Sequence, residues 1–204
     1  MEYLNATPVA SIIFLFTVVT SLYAFYDHGI YGKFMLHPYS VSKGKHIFTI
    51  ITSGLIHADW MHLFFNMFTF YAFAFTLEKM MGSWQFGLLY FFGLVLSDIT
   101  TIFKNKDNYH YHSLGASGAI SAVLFSYILF NPWSGIRILF IPFDIPAFVF
   151  GGLYLVYCMY ASKNSRDNIN HDAHFFGALT GLIFTVIFVQ GIVPHFISAL
   201  ANGK

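Results

Sequence analysis

Three short stretches of the sequence bring together residue types that could carry acyl-transfer chemistry. One is Gly115-Ala116-Ser117-Gly118, a serine set among residues with little or no side chain. The second runs from His57 through His62 to Asn66, and the third is His171-Asp172-Ala173-His174. A serine hydroxyl becomes a nucleophile when a neutral imidazole takes its proton. The tetrahedral intermediate that follows needs hydrogen-bond donors for its oxyanion. Asparagine and histidine side chains and the serine's own backbone N–H can supply them.

Each stretch also has a plainer reading. Gly118 and Ala122 are four residues apart, as are Ala173, Gly177 and Gly181. Such small-xxx-small faces let helices approach closely, and taken alone they make Ser117 a packing residue. Asn66 shares a helix face with His62 and could simply hydrogen-bond between helices. His57, five residues before His62, could anchor the loop that enters the helix. His171 and His174, three apart, could ligate a metal.

The elements that must position these residues follow from composition. Of 204 residues, 57% are hydrophobic, 21% aromatic and only 9% charged, against about 25% charged in soluble domains. Such a chain is a polytopic membrane protein. Its formal net charge is +1, and no basic patch suggests nucleic acid. The single cysteine, Cys158, excludes an internal disulfide and a cysteine-based zinc site. The N-terminus lacks the basic region of a cleaved signal peptide, so residues 8–27 read as a retained first span.

Stretches of about 20 apolar residues span a bilayer, and six are predicted at about 8–27, 59–78, 84–103, 116–131, 145–161 and 169–192, forming a single domain over 1–204. The fourth is short, about 22 Å of helix against a hydrocarbon core of about 30 Å, which predicts that one end is recessed in a water-filled cavity. The connection 28–58 is too apolar for a solvated loop and too broken by Gly and Pro for a span, so it reads as partly embedded. With six spans, the second, fourth and sixth start from the same face. The three polar stretches each open one of them, and therefore share one depth. Ionisable groups at such depth are costly and point to function. If the small-residue faces of the fourth and sixth spans meet, Ser117 and His174 each lie one residue from the contact.

In these residues the chain resembles the rhomboid intramembrane serine proteases, whose pattern is HxxxxHxxxN on the second core helix, GxSG opening the fourth and AHxxGxxxG on the sixth. Here these are His57, His62 and Asn66; Gly115-Ala116-Ser117-Gly118; and Ala173-His174 with Gly177 and Gly181. The resemblance covers about 8–192. It implies an all-α bundle of six transmembrane helices with a partly embedded first loop, and a Ser117–His174 catalytic dyad. It further implies an oxyanion hole of His62, Asn66 and the Ser117 N–H, with structural support from His57, Glu78, Gly115, Gly118, Gly177 and Gly181. No metal or other cofactor and no obligate partner is implied. The implied substrates are single-span membrane proteins, cut in their transmembrane segments within the lipid bilayer. The implied location is a prokaryotic inner membrane, with the site open to the extracytoplasmic face. Lys33, Lys43, Lys45, Lys104, Lys106, Lys163 and Arg166 lie on the site face, and the positive-inside rule alone would give the opposite orientation.

The sequence departs from the family in two places. The first-loop positions where many bacterial members carry Trp-Arg are Phe48 and Thr49. Ser121 stands where many carry a tyrosine that stacks on the catalytic histidine, which leaves open what orients His174. Asp172 points away from His174 on the helix and is not a triad acid. The fifth helix is implied to be a lateral gate, with Gly151-Gly152 near its start. His110 and His112 read as exposed loop residues or substrate contacts, and Asp98 as a partner for a loop backbone or histidine. Two other functions compete: a catalytically silent binder of membrane clients, against which both dyad residues argue, and a transporter or metal permease using His57, His62, His171 and His174. The absence of HExxH argues against a zinc intramembrane protease.

Overall fold

A computed structural model of the chain describes residues 5–138 and 142–203. Among them, the helices longer than ten residues are α1 (Pro8–Tyr26), α2 (Trp60–Met81), α3 (Ser83–Asn105), α4 (Ser117–Phe130), α5 (Ala147–Asn164), α6 (His171–Phe188) and α7 (Ile192–Asn202). By length and composition α1, α3 and α6 are long and apolar enough to cross a membrane. Local chemistry sets several boundaries. Proline opens α1, where its missing N–H costs nothing. The Asp59 carboxylate accepts the His62 N–H at 2.8 Å and starts α2, and the Asn170 side chain accepts the Ala173 N–H at 3.1 Å and starts α6, both as N-caps.

The sixth predicted span extends to 192, but α6 stops at Phe188. Gly191, at φ +76°, turns the chain into the separate helix α7, a left-handed conformation that glycine adopts without strain. The purely helical expectation also fails locally. Gly135–Ile136 (β1) pairs antiparallel with Ile145–Pro146 (β2), because the residue before a proline is confined to extended backbone. Arg137 closes this excursion with a two-pronged pair to Asp144 at 2.7 and 3.1 Å.

At 14 residues α4 is the shortest of the first six, yet it is the centre. Every residue from Gly118 to Ser126 is buried, so it has no solvent or lipid stripe, as expected of a helix apolar all round. It packs on α2, α3, α5 and α6, and α6 also packs closely on α3. The outer helices expose large apolar side chains, among them Leu15, Phe68, Leu153 and Ile187, the surface a lipid solvent requires.

Glu78, 2% exposed near the end of α2, accepts the backbone N–H groups of Val9 at 3.1 Å and Ala10 at 2.7 Å. The first N–H groups of a helix have no partner within it, and the positive end of its dipole favours an anion. One carboxylate thus fastens α1 to α2. Glu78→Gln turns a donor toward those amides and should lower stability by about 1–3 kcal/mol, read as a reduced melting temperature of the detergent-purified protein.

The first loop is folded into short helices, His28–Phe34, Pro38–Val41, Thr49–Thr52 and the 3-10 turn Ser53–Leu55. Leu36 and Ser113 exchange backbone hydrogen bonds at 2.9 and 3.0 Å, and His37 stacks on His112 with ring centres 4.4 Å apart. Phe48 is exposed, and the buried Thr49 donates its hydroxyl to the His46 carbonyl within its own turn. The loop is therefore tied to the segment that leads into α4 and to α1, whose Thr20 and Ser21 hydroxyls donate to the Leu55 carbonyl.

Candidate functional site

Ser117 is the first residue of α4. In the first turn its backbone N–H needs no intrahelical acceptor and can serve a ligand. The segment before it is fixed by a hydrogen bond from the Gly115 N–H to the Ser53 carbonyl at 2.9 Å. Gly115 has φ +108°, and a β-carbon there would lie 2.6 Å from the His62 ring. Only glycine meets both conditions.

The small-residue faces of α4 and α6 meet. A β-carbon on Gly177 would overlap the carbonyl of Gly118, and one on Gly181 would overlap that of Ala122. A third face joins them from α3. A β-carbon on Gly93 would fall 2.7 Å from that of Ala122, and Ser97 fills the space over Gly118. The two helices are in backbone contact beside Ser117 and His174, both half-buried. Among the described residues no hydrogen bond joins the Ser117 hydroxyl to the His174 ring.

His62 Nδ1 accepts the backbone N–H of Ala58 at 3.3 Å. That fixes the tautomer of the neutral ring, leaving the proton on Nε2, the atom 2.8 Å from a Gly115 β-carbon position. A donor thus faces Gly115, two residues before Ser117. Asn66 donates to the His62 carbonyl at 2.9 Å, and its Oδ1 is buried without a hydrogen-bond partner. His57 is fully buried, bonds Ser21 Oγ at 2.9 Å and meets His62 edge-on. Burial pulls its pKa down to about 3, so it is a neutral strut. Asp98 faces the Ser53 hydroxyl of the first loop.

His174 has a ring partner the sequence did not suggest. Tyr154 of α5 lies nearly parallel to it, 17° between planes and 6.3 Å between centres, and its hydroxyl meets Ser121 Oγ at 3.2 Å. Ser121 therefore holds the aromatic ring that it does not itself supply. Gly151 packs on Ile128 and Phe125 of α4, while Gly152 faces open space. Asp172 turns away from the site, accepting from Lys104 Nζ and Ser162 Oγ, each at 2.6 Å. His171 is buried and its Nε2 lies 3.1 Å from Asp167 Oδ1. Asn170 also reaches Thr101 Oγ1 at 2.7 Å, tying the start of α6 to α3. Tyr154, Ser97, Asn170 and Asp167 were all missed. Tyr154 and Ser97 act through contacts between distant segments, whereas Asn170, just before an apolar run, and Asp167, four residues before His171, act locally and lay at readable spacings.

Residues 44–191 match the model of the Rhomboid domain family. The chain belongs to the rhomboid family. As a rhomboid with these apolar helices it is an integral membrane protein. It is similar to YdcA of Bacillus subtilis (strain 168), which carries a provisional name as a rhomboid protease, with 30% identity over 69% of this chain and 67% of that one. It is also similar to the mitochondrial RHOMBOID-like protein 12 of Arabidopsis thaliana, with 25% identity over 74% of this chain but only half of that longer protein.

Proposed function

We propose that this rhomboid is a six-span intramembrane serine endopeptidase that cleaves transmembrane segments of single-span membrane proteins. The observation that carries the reading is the backbone contact of Gly177 and Gly181 with Gly118 and Ala122, which sets the N-termini of α4 and α6 side by side. In this reading Ser117 attacks the scissile carbonyl and His174 accepts its proton, then returns it to the leaving amine. The Ser117 N–H and His62 Nε2–H stabilise the oxyanion, joined by the second N–H of Asn66. Water then hydrolyses the acyl-enzyme. Catalytic hydrogen bonds are often long before substrate binds and tighten in the complex, which accommodates the separate Ser117 and His174 side chains. The bilayer orientation proposed is the family's, with the site open to the extracytoplasmic face.

Tyr154 acts here as a positioning residue, because its ring holds His174 in plane from the helix proposed to move as the gate. A fluorophosphonate probe tests both statements. Wild type should be labelled and Ser117→Ala should not; equal labelling of the two would sink the protease reading. Tyr154→Phe should label near the wild-type rate, and Tyr154→Ala about tenfold or more slowly. Equal rates for those two variants would remove the positioning role.

A further inference from the structure

We propose that α5 and α6 carry a divalent zinc site that captures the proposed catalytic base, with Cys158, His171 and His174 as ligands. Cys158 Sγ and one nitrogen from each histidine lie within 4.8 Å of one another. Tetrahedral zinc holds sulfur at about 2.3 Å and nitrogen at about 2.0–2.1 Å, which places such ligand atoms about 3.3–3.6 Å apart. The site closes with movements of about 1 Å.

A second observation singles out His171. It is 4% exposed, its Nε2 is engaged by Asp167 at 3.1 Å, and its Nδ1 is buried with no hydrogen-bond partner. A buried polar atom left unpaired is costly, and a metal would satisfy it. A carboxylate on the far nitrogen of a ligating imidazole is also the usual outer partner of a zinc-bound histidine. One cysteine cannot build a cysteine-rich site. Joined to two imidazoles it completes three protein ligands with the fourth position open, the arrangement in which zinc keeps water or a small ligand. All three ligands stand on helices, which hold geometry better than loops. A groove of about 390 Å³ between α3, α5 and α6 has Cys158 and Asp172 in its lining.

Binding converts the Cys158 thiol to a thiolate and releases its proton to solvent. With zinc on one nitrogen of His174, the other carries the ring's proton and has no lone pair to accept one from Ser117. The metal would also fasten α5 to α6. That consequence for activity rests on the protease reading, whereas the metal site itself does not.

The purified full-length protein, titrated with Co(II), should bind one equivalent and develop a thiolate-to-cobalt charge-transfer band, displaced by Zn(II). Cys158→Ala should lose the band, and Asp167→Asn should weaken binding about 10–100-fold. His195→Gln, on α7, should bind as wild type. Cys158 is the only cysteine, so wild type alone gives a test that no folding defect can confuse. Saturating Zn(II) should slow alkylation of the thiol by N-ethylmaleimide at least tenfold. An unchanged alkylation rate, or a Co(II) complex without the thiolate band, would overturn the site. Zinc should also inhibit hydrolysis by wild type but not by Cys158→Ala. Hydrolysis that continues uninhibited alongside an intact charge-transfer band would count against His174 as the base and leave the metal site standing, whereas no hydrolysis with or without zinc would count against the protease reading.

Discussion

Ser117→Ala, reconstituted in liposomes with a labelled single-span substrate, is expected to lose cleavage by about 10⁴-fold or more, and His174→Ala to fall to the same floor. Nucleophile and base act as a unit, so each single change removes nearly all that the pair provides. The double variant should be no worse than either single one. His62→Ala removes one oxyanion donor and should cost less, about 10²–10³-fold in kcat. Cleavage by Ser117→Ala at the wild-type rate would end the assignment. Additive losses in the double variant would show that the two residues do not work together.

Gly177→Ala should be the most damaging single methyl group in the chain. Its β-carbon would enter the Gly118 carbonyl, and backbone on both sides has no rotamer with which to yield. Overpacking of this kind costs about 1–3 kcal/mol. Separating α4 from α6 by 1 Å should also slow fluorophosphonate labelling of Ser117 about 10²-fold, the usual effect of such a misplacement. Gly152→Ala is the matched control. Nothing lies within 4 Å of its β-carbon position, and alanine suits a helix better than glycine by about 0.5–1 kcal/mol. Both variants can be compared by thermal unfolding in detergent. A Gly177→Ala protein as stable and as reactive as wild type would mean that the helices are not held in backbone contact.

The parts of this structure legible in the sequence are those that recur along one helix. The four-residue spacing of Ala173, Gly177 and Gly181 marked the face that meets Gly118 and Ala122, because helix geometry makes such a pattern visible without a partner. Long apolar stretches likewise located the main helices to within about three residues at most ends. What could not be read depends on which distant segments touch. Glu78 advertised a buried acid, but not that its ligands would be the first amides of α1. Ser121 looked like the loss of a stacking ring, because the ring arrives 33 residues later, on α5. The end of α6 was misplaced because the apolar character continues through Gly191 into α7, and composition alone does not register a turn.

The shortness of α4 has a geometric consequence. Beneath it, His195 of α7 meets the Phe130 carbonyl at 2.8 Å, and Trp133 donates to the Ala199 carbonyl at 3.1 Å. The helix is a post of about 21 Å whose lower end is held by α7. With that end at one boundary of a hydrocarbon layer about 30 Å thick, the post works as a ruler. Under the proposed reading, with α4 upright in the layer, it would put Ser117 about 9 Å inside the opposite boundary, the depth of about six helical residues of a substrate. Under the proposed reading, the length of α4 and not the sequence of the client fixes how far from the membrane surface the cut falls.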